Sequence, residues 1–223
     1  MTVPVSNDTR PARGRRAPRV TGEDRERAIL ATAERLLEER PLHEISIDDL
    51  ARGAGISRPT FYFYFSSKEA VLLTLLDRLV EEARQGTGEA LDHFAEDPER
   101  LLRQGITAIY ETFRAHSAVS LAASEAAAAS TEVRDLWAGV METFVQETTA
   151  AIESERARGR APDGIPARDL AIALNTMNER VFHAIFAGQK PAVAEGNVID
   201  TLVAVWLGAI YGPADRPAAA ADT

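Results

Sequence analysis

Cysteine is absent from the sequence, which excludes disulfides and thiolate metal sites and fits a reducing cytoplasm, the compartment expected for this chain. Histidine is scarce. His43, His93, His116 and His183 are too scattered for a metal-ligating pair, so no metal site is expected. No uninterrupted apolar run reaches the roughly 18 residues that cross a bilayer. The arginines near the N-terminus are followed by no apolar segment, so a secretory signal is not expected either. Runs of β-branched and aromatic residues alternating at period two are missing, which argues against sheets. Gly53-Ala54-Gly55 resembles a nucleotide loop only superficially, because no third glycine or lysine follows and no strand precedes it. Glu179 could serve as a general base, but no partner nucleophile accompanies it. No catalytic residue and no cofactor is expected.

What is present is an ordinary globular composition, 45% hydrophobic and 26% charged over 223 residues, enough for a sizeable core. The charge is unevenly distributed. Residues 1–22 hold Arg10, Arg13, Arg15, Arg16 and Arg19 against Asp8, a local +4, whereas the remainder carries -13 of the net -9. A basic arm on an acidic body can be a solvated tail, or an arm for phosphates and minor grooves. Residues 23–85 carry nine basic against thirteen acidic side chains, net -4, so attraction to DNA would rest on a few placed cations and the arm.

Periodicity is helical nearly throughout. Thr21 and Asp24 form a capping-box-like start for a helix over 24–39, which Pro41 stops. Ser46-Ile47-Asp48-Asp49 caps a short second helix ending near Gly53, and Ser57 starts a third. Ser66-Ser67-Lys68-Glu69 caps a fourth over 67–95, weakened or bent by Gly86 and Gly88. Further helices are expected over 98–116, 118–129, 131–158, 166–187 and 194–211. Ala122–Ala129 is read as close helix packing alone.

Between the second and third helices, Gly53-Ala54-Gly55-Ile56-Ser57 supplies a glycine-bearing turn, an apolar anchor and a cap. Such a junction locks two helices at a steep angle, so that the second can enter a major groove. Ala51 is small where the helices must cross, and Gly55 suits a left-handed turn. Phe61 and Phe65 are expected in the core, which leaves the Tyr62 and Tyr64 hydroxyls for phosphates; half-buried packing is the competing reading for both tyrosines. The DNA-contacting set is therefore Arg13, Arg15 and Arg16 of the arm, then Arg52, Ser57, Arg58, Pro59, Thr60, Tyr62, Tyr64 and Lys68.

Ser57-Arg58-Pro59-Thr60-Phe61-Tyr62-Phe63-Tyr64-Phe65, followed by Ser67-Lys68-Glu69-Ala70, resembles the signature of TetR-family repressors, and the likeness extends over nearly the whole chain. The resemblance implies an all-α fold of about nine helices: an N-terminal three-helix helix-turn-helix domain plus a larger helical ligand-binding and dimerisation domain. The expected organisation is a disordered basic arm over 1–22, the DNA-binding domain over 23–66, the effector and dimerisation domain over 67–212, and a flexible tail over 213–223. A homodimer would form through the helices near 166–187 and 194–211, although their apolar faces alone fit a monomer core equally well. The partners implied are double-stranded operator DNA of pseudo-palindromic sequence and a small hydrophobic or aromatic effector that releases it, with a neighbouring monooxygenase gene as the regulated target.

The stretch Leu174–Phe182 places Asn175, Asn178, Glu179 and Phe182 on neighbouring faces of an apolar helix. From spacing alone, such amides often only tie helices together, and Glu179 and Arg180 can form internal salt bridges. The resemblance instead assigns Asn175 and Asn178 to a ligand pocket. It adds Gly105, Ile106, Ile109, Phe113, Trp137, Met141, Phe144, Thr148, His183 and Trp206 as lining or nearby positions, and Glu179 and Phe182 join them by their spacing on the same helix. Ile109, Phe144 and His183 stand where the branch it resembles carries Phe, Trp and Phe, so the ligand's shape should differ. The rival functions are a helical small-molecule carrier that does not bind DNA and an enzyme using Glu179.

Overall fold

The computed structural model describes residues 21–92 and 97–212. Among them are nine α-helices: α1 (Gly22–Glu39), α2 (Ile47–Gly53), α3 (Arg58–Tyr64), α4 (Lys68–Asp92), α5 (Pro98–Ala115), α6 (Ser117–Ala127), α7 (Thr131–Ala157), α8 (Ala167–Phe186) and α9 (Val198–Tyr211). No strand occurs among the described residues. The arm, with Arg13, Arg15 and Arg16, lies outside them, as do His93 and the tail from 213 onward.

The starts of the early helices are set by local chemistry. Thr21 and Asp24 exchange both bonds of a capping box, and Ser46 and Asp49 do the same for α2. Helix α1 begins at Gly22 rather than Asp24, because the cap is Thr21 itself. Helix α4 runs unbroken to Asp92 through Gly86 and Gly88. Helix α9 starts at Val198, after a 3₁₀ turn at Glu195–Asn197 that supplies no side-chain cap. A second 3₁₀ turn, Leu42–Glu44, links α1 to α2 and is not signalled by the sequence.

Two apolar clusters hold the chain together. The first joins Ile29, Leu30 and Leu36 of α1, Leu50 of α2 and Phe61 of α3 to Leu72 and Leu76 of α4. It continues into Phe113 of α5, Val119 of α6 and Val133 of α7. The second packs α5, α7, α8 and α9 around Ile106, Ile152, Leu174, Leu202 and Ile210. At the α5–α6 junction, the His116 ring meets Glu34 of α1 and, at 3.4 Å, Glu82 of α4. At the far end, Glu155 of α7 is wholly buried. It accepts two bonds from Arg160, at 2.6 and 3.0 Å, and one from the Tyr211 hydroxyl at 3.0 Å. The Arg160 bonds hold the Glu155 carboxyl below the usual carboxylate range, and burial pushes the Tyr211 phenol up. This cluster pins the ends of α7 and α9 to the loop before α8.

Candidate DNA-reading face and effector cavity

The turn between α2 and α3 is built as its composition dictates. Gly55 sits at φ +67°, where a Cβ would be strained. The Ile56 amide returns to the Ala51 carbonyl at 2.9 Å and that of Gly55 to Arg52 at 3.1 Å, closing α2. The Ser57 hydroxyl accepts the Thr60 amide at 3.3 Å, with Pro59 in the first turn. Helices α1 and α2 approach closely at Gly53: a Cβ there would lie 2.3 Å from Thr32 Cγ2. The small residue that this contact between α1 and α2 requires is Gly53; Ala51 is buried on the same helix.

Helix α3 buries Phe61 and Phe65 and leaves Tyr62 47% and Phe63 83% exposed. Arg52, Ser57, Arg58 and Pro59 are also exposed on this face, and Thr60 is half-buried. Tyr64 is half-buried too, its hydroxyl 3.7 Å from where a Cβ on Gly22 would stand, at the start of α1. Arg58 is already engaged: its guanidinium lies 3.1 Å from Asp48 and over the Tyr62 ring, 5.9 Å from the centroid. Lys68 departs from expectation. Its ammonium donates to the carbonyls of Leu42, Ile45 and His43 at 2.8, 3.0 and 3.3 Å, which uses all three donors. It is the clasp of the 3₁₀ turn, and no donor is left over for a phosphate. Phe63, the most exposed large apolar side chain among the described residues, is not marked for this face by the sequence, since it has neither a hydroxyl nor a core position.

A cavity of about 440 Å³ opens between α5, α6, α7 and α8. Ile109, Phe113, Trp137, Met141, Phe144, Asn175, Asn178, Glu179, Phe182 and His183 all line it. Four expected residues do not. Gly105 and Ile106 are not in its lining; Ile106 is buried in the second apolar cluster with residues of α9. Thr148 and Trp206 stand behind the wall: Asn175 donates to Thr148 Oγ1 at 3.1 Å, and the Trp206 indole donates to Asn178 Oδ1 at 3.0 Å. An indole N–H can only donate, so it fixes the Asn178 amide with its NH₂ left over for another acceptor. Asn175 also donates to the Ala171 carbonyl at 2.9 Å, which leaves its own carbonyl oxygen as the spare group.

The Glu179 carboxylate accepts the Trp137 indole N–H at 2.7 Å. Arg180 donates to Gln189 at 2.8 Å, and Gln189 contacts the His183 ring at 3.3 Å. Neither Glu179 nor Arg180 forms an ion pair among the described residues, contrary to the salt-bridge alternative. The sequence reading missed Ser120, Ala123, Ser124, Ala127, Thr176 and Arg180 in the lining. The alanine-rich run carried the only signal, since small residues there leave the space open. No cluster of potential metal ligands occurs, and no helix is long and apolar enough to cross a membrane, among the described residues.

Two family models match in succession: "Bacterial regulatory proteins, tetR family" over residues 29–75, and "Transcriptional regulator EthR, C-terminal domain" over 102–212. The chain is 54% identical over 217 residues to the HTH-type transcriptional regulator EthR of Mycobacterium tuberculosis, covering 95% of this chain and 99% of that one. It is 51% identical over 208 residues to EthR of Mycolicibacterium smegmatis, covering 93% and 96%. A solved putative TetR-family regulator from Syntrophomonas wolfei shares the fold, with a TM-score of 0.72 at 17% identity over 87% of this chain and 99% of that one. The chain belongs to the TetR family of helix-turn-helix transcriptional regulators, which are not enzymes, and carries a C-terminal domain of the EthR type.

Proposed function

We propose that this regulator is a cytoplasmic repressor that binds a pseudo-palindromic operator as a homodimer and is released when a small hydrophobic or aromatic effector fills the 440 Å³ cavity. One observation carries the release mechanism: Phe113 lines that cavity and also belongs to the apolar cluster that seats α1, α2 and α3. A ligand that displaces Phe113 acts on the core behind the recognition helix. It weakens DNA binding to the extent that it favours a spacing of the two recognition helices that successive grooves do not accept.

Operator contact is assigned to Arg52, Ser57, Arg58, Pro59, Thr60 and Tyr62, with Tyr64 at the edge of the face and Arg13, Arg15 and Arg16 of the arm. The working division is residues 23–66 for DNA and 67–212 for effector and dimer. The dimer is assigned to α8 and α9. Their outer faces expose Ile172 and Ala173, and Thr201, Ala204, Val205, Gly208 and Ala209, small or apolar side chains that suit a four-helix contact. A neighbouring monooxygenase gene is the proposed target.

The test is a gel shift of purified protein on its own upstream region, with Arg58→Ala as control and lipophilic esters and ketones as challengers. Specific binding that the substitution abolishes and a compound relieves supports the reading. A folded dimer that shifts no specific fragment refutes it in favour of a ligand carrier.

A further inference from the structure

We propose that the effector cavity selects a cationic amphiphile, with a protonated amine seated on Glu179; this rests on the cavity being the effector site. The amides and the indole of the cavity are largely committed to protein partners. Asn175 spends its NH₂ on Thr148 and Ala171, Asn178 spends its carbonyl on Trp206, and Trp137 spends its N–H on Glu179. What remains at these positions is one donor at Asn178, one acceptor at Asn175 and the rest of the Glu179 carboxylate; Ser120, Ser124 and Thr176 add neutral hydroxyls, and Arg180 and His183 complete the polar lining.

That carboxylate is the unusual group. It lines the cavity with a single protein hydrogen bond among the described residues, from Trp137 at 2.7 Å, although a carboxylate has about four acceptor sites. No lysine, arginine or histidine pairs with it within 4.0 Å among the described residues. Arg180, its neighbour in sequence, is turned to Gln189 at 2.8 Å, and the His183 ring contacts the same glutamine. Water satisfies Glu179 while the cavity is wet. A neutral apolar ligand that fills the space strips that water and leaves a charge without a partner, which is costly. A protonated amine replaces the water with a charge-assisted bond. The Phe113 and Trp137 rings, edge to face with centroids 6.0 Å apart, add π-faces that favour a cation over a neutral head. The apolar tail then lies along Ile109, Met141 and Phe182.

The test uses the full-length protein and a matched pair of probes, n-octylamine, protonated at pH 7.5, and 1-octanol, titrated calorimetrically. Octylamine is expected to bind about tenfold or more tightly than octanol, the magnitude of a charge-assisted contact. Glu179→Gln keeps the bond from Trp137 and should collapse that preference without weakening octanol. Equal affinities in the unsubstituted protein overturn the proposal whether or not the variant folds, and so does an amine preference that survives the substitution. Octanol binding without amine preference leaves the cavity assignment standing and removes only this inference. Binding of neither probe removes both.

Discussion

Replacing Gly53 with alanine tests the geometry that aims the recognition helix. The added Cβ would lie 2.3 Å from Thr32 Cγ2, more than 1 Å inside an ordinary carbon–carbon contact of about 3.5 Å. Thr32 has little room to yield: it is 6% exposed, and its hydroxyl is bonded to the Ala28 carbonyl at 2.7 Å. Overpacking of this kind costs about 1–3 kcal/mol, and the gain in helix propensity from glycine to alanine returns at most about 1 kcal/mol. A net loss of up to about 3 kcal/mol follows, read by urea unfolding at constant m. The diagnostic partner is Thr32→Ala, which removes both γ atoms and leaves Thr32 Cβ, at 3.4 Å, as the nearest atom. The double variant should recover at least about 1 kcal/mol relative to the sum of the singles. Operator affinity should fall in the single variant and return in the double, since α2 carries the turn that orients α3. If Gly53→Ala matches the parent in stability, or if the two losses simply add, the close approach of α1 and α2 is not what fixes this angle.

Four further outcomes are expected. Glu155→Gln should lower stability by about 1–3 kcal/mol at pH 7, the range for breaking a buried charge-assisted contact. Because folding depresses the Glu155 pKa, its contribution is present above the unfolded value of about 4.3 and lost as pH falls through the folded one. The melting-temperature gap between parent and variant should therefore close below that pH. Asp48→Asn frees Arg58 from the 3.1 Å contact and should raise affinity for random DNA severalfold more than for operator, read by competition titration. Trp206→Phe removes the bond that orients the Asn178 amide; effector response should shift while effector-free operator affinity stays the same. Deleting residues 1–20, which carry five arginines and one aspartate, should weaken DNA binding and flatten its salt dependence.

Much of this architecture is legible in the sequence because it is local. Thr21 with Asp24 and Ser46 with Asp49 announce helix starts three residues apart, and Gly55 marks its turn unaided. Features that depend on distant partners are not readable this way. Lys68 looks like a phosphate ligand until the carbonyls of Leu42, His43 and Ile45 are seen around it. Their availability depends on a 3₁₀ turn 23 to 26 residues away. Spacing puts Asn175 and Asn178 on the right face of α8, but it does not separate wall from backing, so Thr148 and Trp206 read as lining. Ala123 and Ala127 pose the opposite problem: the same small side chains signal tight packing or an open space, and only the neighbouring helices decide which.

The apolar cluster that runs from Ile29 to Val140 has a consequence for how such a protein can diversify. Tyr62 and Phe63 project outward from α3, so substitutions there change the exposed face and leave the interior untouched. The cavity wall has no such freedom. Phe113 belongs to the same packed mass as Phe61, so a lineage that reshapes the wall also disturbs the seat of α3. The exposed face can change one residue at a time, whereas a reshaped cavity wall calls for compensating substitutions among the residues packed behind it in α1 and α4. A graft of residues 21–66 onto a foreign body would meet the same constraint, because its inner face is finished by side chains from α4, α5 and α6.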